Sequence, residues 1–328
     1  MKKWWLAALI LLTACALVAG PASAQSAQQG RYSIATASPG GTFYAYGGGW
    51  SNLLNQKLGF NTSTQVTGGG VDNLILLGNK KVDFGMTTTS EAHAAYLGEP
   101  KWTRGKKFDN LRALFMTHPA VLHVLSSASR PVRTIRDLDG KRVCLGPAGS
   151  GHDRNYRIIF NILGIKPARI INLPFGDAIR QLGDRRMDAI AMLVGPPNSS
   201  VMQFDATHTA YLAEFPQADR ELINQKAPAI VPFTIGAGAY KSITKPVETT
   251  AVWAIMVADK DLPADVIYRI MKVTYENKPF LMAAHKAARF LEMKTILGSP
   301  IPLHAGAVKY YRETGLNITG GLVPPESK

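Results

Sequence analysis

Apolar and amphipathic runs alternate along most of the chain, and glycine-rich stretches separate them. Residues 32–37 and 141–146 have the pattern of short buried strands, and each is followed by a glycine loop and a helical pattern. The order strand, loop, helix, strand, helix, strand occurs twice. Such an alternation predicts parallel strands joined by right-handed crossovers. The sequence therefore predicts an α/β protein with two βαβαβ halves.

An internal repeat links these halves. Residues 70–86 and 175–192 match at one constant offset, and both predict a short helix, a glycine, two basic residues and an apolar strand with one aspartate. We expect the glycine to adopt the left-handed conformation that ends many helices. Two generic α/β units can match by chance, but agreement at many positions favours pseudo-symmetry. The matched pairs are Asp72 with Asp177, Leu77 with Leu182, Gly78 with Gly183, Lys80 with Arg185, Lys81 with Arg186, and Asp83 with Asp188.

Two long apolar segments, residues 111–127 and 248–263, are predicted to carry the chain from one half to the other and back. Helical patterns at 264–277 and 279–291 should then pack against the first half. We therefore predict a two-lobed fold in which each lobe is a mostly parallel sheet flanked by helices, with a ligand cleft between the lobes. The predicted lobes are residues 31–122 plus 250–328, and residues 123–249.

The first 24 residues have the pattern of a bacterial signal peptide. Two lysines precede an apolar run at residues 4–18, and the small residues at 22–24 form a cleavage site. The run is shorter than the ~20 residues of a membrane span. We predict export to the periplasm with cleavage after Ala24. Residues 12–15 also resemble a lipobox, and lipidation of Cys15 is the alternative.

Composition narrows the classes of partner. The net charge is +14 and 46% of the residues are hydrophobic, as in a globular protein. Export, and basic residues that are scattered along the chain, argue against nucleic acid. An anionic surface and a small anionic ligand remain as partners. Cleavage would leave Cys144 as the single cysteine, which predicts no internal disulfide and a buried apolar thiol.

Two glycine loops hold equivalent positions in the two halves. Residues 38–47 (SPGGTFYAYG) and 146–154 (GPAGSGHDR) each offer glycines, the start of a helix and one hydroxyl, from Thr42 or Ser150. Backbone N–H groups at a helix start bind anions, and glycine permits their close approach. Opposed loops would hold an anion from both sides. Simple turns are the alternative interpretation.

Three further polar segments lie between a predicted strand and a predicted helix. Residues 66–73 contain Thr67 and a glycine run, residues 86–92 contain four consecutive hydroxyl side chains, and residues 192–200 contain Asn198. Hydroxyls in such a row either cap a helix or form a polar wall for a ligand.

The glycine-loop residues match no enzyme motif. The 146–154 loop lacks the Lys-Ser/Thr of a phosphate-binding loop, and Ala148 stands where the G-x-S-x-G motif needs glycine. Ser150 and His152 are near neighbours in one loop with no evident orienting acid. The seven histidines form no H-x-x-x-H pair. We expect neither an enzyme nor a metal or cofactor site.

The chain resembles the TRAP-associated extracytoplasmic immunogenic (TAXI) family of solute receptors over nearly the whole mature chain. The resemblance rests on GGTFYAYGG, VTGGGVDNLILL, DLDGKRVCLGPAGSG, LPADVIYRIMKVTYEN and, most specifically, IPLHAGAVKYYRETGL at residues 301–316. It implies a type II periplasmic binding protein that closes around a carboxylate such as glutamate or 2-oxoglutarate. The receptor would deliver this solute to a TRAP-type membrane transporter subunit.

Two departures from the family pattern bear on the ligand. Thr88, Thr89 and Ser90 stand where the family often has Gln, a small polar residue and Asp, which favours an anion without an amine. His152 stands where Thr or Ser is usual, which favours negative charge or an aromatic ligand. The candidate ligand-binding residues are Gly40, Gly41, Thr42, Tyr44, Thr67, Gly68, Thr88, Ser90, Gly149, Ser150, Gly151, His152 and Asn198.

The predicted function is capture of a small anionic solute, namely a carboxylate, keto acid or dicarboxylate, by a monomeric receptor. A periplasmic sensor that signals through a membrane protein is the main alternative. An exported hydrolase that uses Ser150 is a weaker one.

Overall fold

The structure is a computed structural model that describes residues 30–327. The predicted signal peptide, including Cys15, lies outside the described residues. Within residues 30–327, no helix combines the length and apolar character that a membrane crossing needs.

The helices and strands in chain order are β1 (Arg31–Ala35), α1 (Thr42–Leu58), β2 (Asn61–Gln65), α2 (Gly70–Gly78), β3 (Phe84–Thr88), α3 (Thr89–Leu97), α4 (Pro100–Thr103), β4 (Leu111–Ser127), β5 (Arg142–Cys144), α5 (Gly151–Leu163), β6 (Arg169–Ile171), α6 (Phe175–Gly183), β7 (Ala189–Val194), α7 (Ser199–Thr207), β8 (Ala210–Leu212), α8 (Gln217–Lys226), β9 (Val231–Ile235), β10 (Val247–Asp259), α9 (Ala264–Glu276), α10 (Lys278–Ala284) and α11 (Ala305–Glu313).

One mixed sheet runs in the order β2-β1-β3-β10-β4-β7-β5-β6. β1 pairs in parallel with β2 and β3, and β5 pairs in parallel with β6 and β7. The long strands β4 and β10 lie antiparallel to each other, and they join the two parallel groups through β3 and β7. We call β1–β3 with their helices the first lobe and β5–β7 with theirs the second lobe. The predicted fold class is confirmed, whereas the lobe boundaries stay a prediction.

Separate apolar cores stabilise the two lobes. In the first, Trp50 packs edge-on against Phe84, with ring centroids 5.2 Å apart, and its indole N–H donates to Thr274 Oγ1 at 2.9 Å. Helices α9 and α11 complete this core, as predicted for the tail of the chain. The second lobe has one core on each face of its strands, around Tyr156 and around Phe175. Cys144 is buried beside Phe175 and carries a free thiol.

The repeat is visible as matching contacts. Asp83 Oδ2 accepts a hydrogen bond from Ser33 N at 2.7 Å, and Asp188 Oδ2 accepts one from Arg142 N at 2.9 Å. In each lobe, the aspartate before the third strand thereby accepts a hydrogen bond from a backbone N–H of the first strand. The internal repeat therefore reflects structural pseudo-symmetry.

The prediction that Gly78 and Gly183 adopt the left-handed conformation is wrong. Gly78 and Gly183 are the last residues of α2 and α6, and the left-handed residues are Lys80 (φ 56°) and Arg185 (φ 62°). Position 78 requires glycine because a Cβ there would overlap the Phe108 ring. The predicted helix at 279–291 also ends early, since α10 stops at Ala284 and a 3₁₀ turn follows.

Candidate functional site

The first glycine loop contacts the end of β7 in the second lobe. Thr42 is 3% exposed, and its Oγ1 accepts a hydrogen bond from Gly195 N at 2.9 Å. The Gly40 carbonyl accepts from Asn198 Nδ2 at 2.9 Å and from Ser200 Oγ at 3.2 Å. Gly40 has φ 86°, and a Cβ there would crowd Ser200 Oγ, so this position requires glycine. The structure thus brings together three of the predicted residues.

His152 lies beside the same strand end. Its Nδ1 accepts a hydrogen bond from Leu193 N at 3.0 Å, which places the ring proton on Nε2. The ring contacts Phe175 edge-on, with centroids 4.8 Å apart. Burial lowers the pKa of His152 to about 4, so the ring is neutral at pH 7. His152 therefore offers an N–H donor and no positive charge.

The hydroxyl of Thr67 is used within the first lobe. It donates to Asn73 Oδ1 at 2.6 Å and accepts from Gly69 N at 3.0 Å. Asn73 Nδ2 in turn donates to one backbone carbonyl just past β1 and to another in β3. Gly68 N donates to Asp72 Oδ2 at 2.9 Å. This network holds together the strand ends that carry the loop.

The second glycine loop faces this part of the first lobe. Ser150 is 1% exposed and is the N-cap of α5, where its Oγ accepts from Asp153 N at 3.4 Å. Gly149 N donates to Asp153 Oδ2 at 3.2 Å. A Cβ at Gly69 would lie 4.0 Å from Ser150 Cβ, so the two loops lie close to contact across the lobes.

The hydroxyl row at residues 86–92 forms a helix cap. Thr88 is the N-cap of α3 in a capping box: its Oγ1 accepts from Glu91 N at 3.3 Å, and Glu91 Oε2 accepts from Thr88 N at 3.2 Å. Ser90 Oγ lies 3.1 Å from Thr88 Oγ1. The capping interpretation of this row is confirmed.

Glu91 was missed by the sequence analysis, although the Thr-x-x-Glu spacing marks it. It is 1% exposed, and a Cβ at Gly70 or at Gly151 would overlap its carboxyl oxygens. The N-terminal ends of α2, α3 and α5 therefore meet at one carboxyl group. Burial raises the pKa of Glu91, against the opposing effect of its hydrogen bonds from Thr88 and Thr87.

A cavity of about 1150 Å³ opens beside these loops, between α4 and α5. Arg154 lines it, forms an ion pair with Glu99 at 2.8 Å, and has its guanidinium 5.4 Å from the centre of the Trp102 ring. Apolar side chains, including Ile158, line much of the remainder. Tyr44, in contrast, is 42% exposed on α1 and does not share the burial of Thr42.

The arrangement offers hydrogen-bond donors and no assembled nucleophile. The Ser150 hydroxyl caps α5 while His152 Nδ1 binds the backbone of Leu193, so the two side chains are not paired. Burial raises the pKa of the Cys144 thiol. Over residues 30–327, no group of three His, Cys, Asp or Glu side chains is placed to hold a metal ion.

Comparison with solved structures identifies the class of fold as that of the periplasmic binding proteins. MatC from Rhodopseudomonas palustris with bound malate is similar at a TM-score of 0.57 and 12% identity, over 87% of this chain and 97% of MatC. The periplasmic binding protein BugD is similar at a TM-score of 0.52 and 11% identity, over 88% of this chain and 98% of BugD. A structure described as a periplasmic transporter has a TM-score of 0.53 and 14% identity, over 80% of this chain and 88% of that chain.

The sequence itself defines the family. Residues 34–315 match the NMT1-like family, so the chain belongs to that family.

Proposed function

We propose that this protein is an exported receptor that captures a small anionic solute, namely a carboxylate, keto acid or dicarboxylate, between its lobes. The observation that carries the proposal is the meeting of loops from both lobes at the end of β7, where Thr42 contacts Gly195 and the Gly40 carbonyl contacts Asn198. A solute held at such a junction would contact both lobes and couple its binding to their closure.

The electrostatics of the junction favour an anion. Helices α1 and α7 begin at Thr42 and Ser199, and each presents the positive end of its dipole near the loop contacts, whereas the start of α5 lies against Glu91. The net charge, +14 for the full sequence and +12 without the two lysines of the signal peptide, attracts negatively charged solutes from a distance. MatC, which has a similar fold, holds malate, a dicarboxylate.

We further propose the TAXI subtype, a periplasmic location and delivery of the solute to a TRAP-type membrane transporter subunit. These assignments rest on the sequence motifs at residues 40–48, 66–77 and 301–316 and on the signal-peptide pattern of residues 1–24. The receptor would act as a monomer and leave its solute chemically unchanged.

Isothermal titration calorimetry on refolded, ligand-stripped protein tests the carboxylate assignment. The panel contains dicarboxylates, keto acids and amino acids, and at least one should bind tighter than ~1 mM. Ser150→Ala should weaken that binding, whereas Ser127→Ala, at the far end of β4, should not. If the whole panel binds more weakly than ~1 mM, the proposed solute class is wrong.

A further inference from the structure

One oxygen of the Glu91 carboxyl, Oε1, has no hydrogen-bond partner among the described residues. The other, Oε2, accepts from Thr87 Oγ1 at 3.0 Å and from Thr88 N at 3.2 Å. The side chain is 1% exposed, and buried polar atoms in proteins are nearly always paired. Oε1 is therefore an unused polar atom at the contact between the lobes, where it lies against Gly151.

The neighbours of this carboxyl favour its ionised form. Oε2 already receives two hydrogen bonds, and the positive ends of α2, α3 and α5 converge on the group. Gly70 and Gly151 bring no side chain to it. Burial raises the pKa of Glu91, and the hydrogen bonds from Thr88 and Thr87 and the charge of Arg154 oppose that rise. An ionised carboxyl oxygen can only accept hydrogen bonds. In the ionised form, the partner that Oε1 lacks is a donor.

We propose that Glu91 Oε1 accepts a hydrogen bond from the captured solute, so that the receptor selects solutes with an N–H or O–H donor beside their carboxylate. The inference rests on the proposed function, because it requires a solute between the lobes. The donor, an ammonium or a hydroxyl group, enters between Glu91 and the first turn of α5 when the lobes separate. This differs from the expectation of a solute without an amine, which rested on the absence of a carboxylate at residues 88–90.

Calorimetry with four diacids of one carbon skeleton tests this selection. Succinate, malate, aspartate and oxaloacetate carry hydrogen, hydroxyl, ammonium and ketone oxygen at C2. The wild-type protein should bind malate or aspartate at least about tenfold tighter than succinate and oxaloacetate. The comparison of malate with aspartate shows which donor fits.

Glu91→Gln should reverse the preference. Thr87 and Thr88 both donate to the Oε2 position, so the amide oxygen takes that place and the amide NH₂ occupies the Oε1 position. A donor then faces the solute, and oxaloacetate should bind at least as tightly as aspartate. Glu276→Gln, at an exposed glutamate on α9, is the matched control and should keep the wild-type order.

The outcomes separate the two proposals. If wild-type protein binds succinate or oxaloacetate as tightly as malate and aspartate, or Glu91→Gln keeps the wild-type order, the inference is wrong and the proposed function stands. If no diacid binds tighter than ~1 mM, the carboxylate assignment fails and the inference fails with it. Glutamine at this position preserves the capping box, and a thermal melt checks its fold. If Glu91→Gln does not fold, the order of affinities of the wild-type protein for the four diacids decides whether the inference holds.

Discussion

Thr42 is the first residue of α1, and its buried hydroxyl accepts a hydrogen bond from a backbone N–H of the second lobe. Ser150 caps α5, and Thr67 binds Asn73 within the first lobe. At the scale of residues, the hydroxyls that the sequence marks as ligand contacts therefore also carry structural hydrogen bonds. An effect of their removal on solute binding has to be separated from an effect on folding.

The Thr42 hydroxyl can be tested by an isosteric change. Thr42→Val should lower the free energy of unfolding by about 1–3 kcal/mol, because it leaves Gly195 N–H buried without an acceptor. Thr42→Ser retains the hydroxyl and should cost clearly less. Urea denaturation of both variants without solute measures the difference, and equal losses would show that the hydrogen bond is unimportant.

His123 should make the protein sensitive to acid. It is 1% exposed, its Nδ1–H donates to Val121 O at 2.8 Å, and its Nε2 accepts from Tyr240 Oη–H at 2.9 Å. Burial lowers the pKa of His123 to about 4, below the value of about 6.5 in the unfolded chain. The unfolded state then binds more protons, so the free energy of unfolding falls as the pH drops from about 6.5 to 4.

The contribution of His123 to this loss at pH 5 should be about 2 kcal/mol relative to pH 7. Urea denaturation at pH 7, 6 and 5 measures it. The slope of the free energy of unfolding against pH is compared between His123→Gln and the wild type, because the substitution also changes the absolute stability. A variant with the same pH slope as the wild type would contradict the prediction.

At the scale of elements, the sequence predicts regular segments well and their contacts poorly. The long strand at 111–127 is found with the predicted bounds, because a continuous apolar run needs no distant partner to be recognised. The contact between Thr42 and Gly195 joins residues 153 positions apart, and no local pattern encodes it. Glu91 could have been predicted as a helix-capping residue, but its place against Gly151 depends on the packing of α3 against α5.

The glycine run of α1 yields a prediction with an internal control. A Cβ at Gly49 would overlap Ala284 Cβ on α10, whereas a Cβ at Gly48 would meet no atom within 4 Å. Gly49→Ala should therefore destabilise the protein by about 1–3 kcal/mol through overpacking. Gly48→Ala should stabilise it by up to about 1 kcal/mol, since alanine is the better helix former. Thermal melts of both variants compare them, and a stable Gly49→Ala protein would show that α1 and α10 can move apart.

At the scale of the whole molecule, β4 and β10 are the long strands that join the lobes, and the loops make a second set of contacts at the end of β7. Hydrogen bonds of this kind contribute about 0.5–1.5 kcal/mol each. The balance between open and closed lobes should therefore respond to single substitutions, while each lobe keeps its own core.

Asn198 allows one of these contacts to be removed selectively. Its Oδ1 accepts from Ser200 N at 3.0 Å and caps α7, while its Nδ2 donates to the Gly40 carbonyl. Asn198→Asp retains a good cap but places a carboxylate oxygen against that carbonyl. We expect the open fraction to rise by about threefold to tenfold, because a hydrogen bond between the lobes is replaced by repulsion.

Distances between spin labels on Lys57 and Lys166, which are exposed on different lobes, measure this change. The labels are attached to introduced cysteines, and the buried Cys144 thiol should remain unlabelled. Asn224→Asp, which removes a donor to Ile230 O inside the second lobe, is the control and should leave the distances unchanged. Saturating carboxylate should shorten the distances in the wild-type protein, because a solute that contacts both lobes favours closure. Unchanged distances in Asn198→Asp without solute would mean that this loop contact does not set the separation of the lobes.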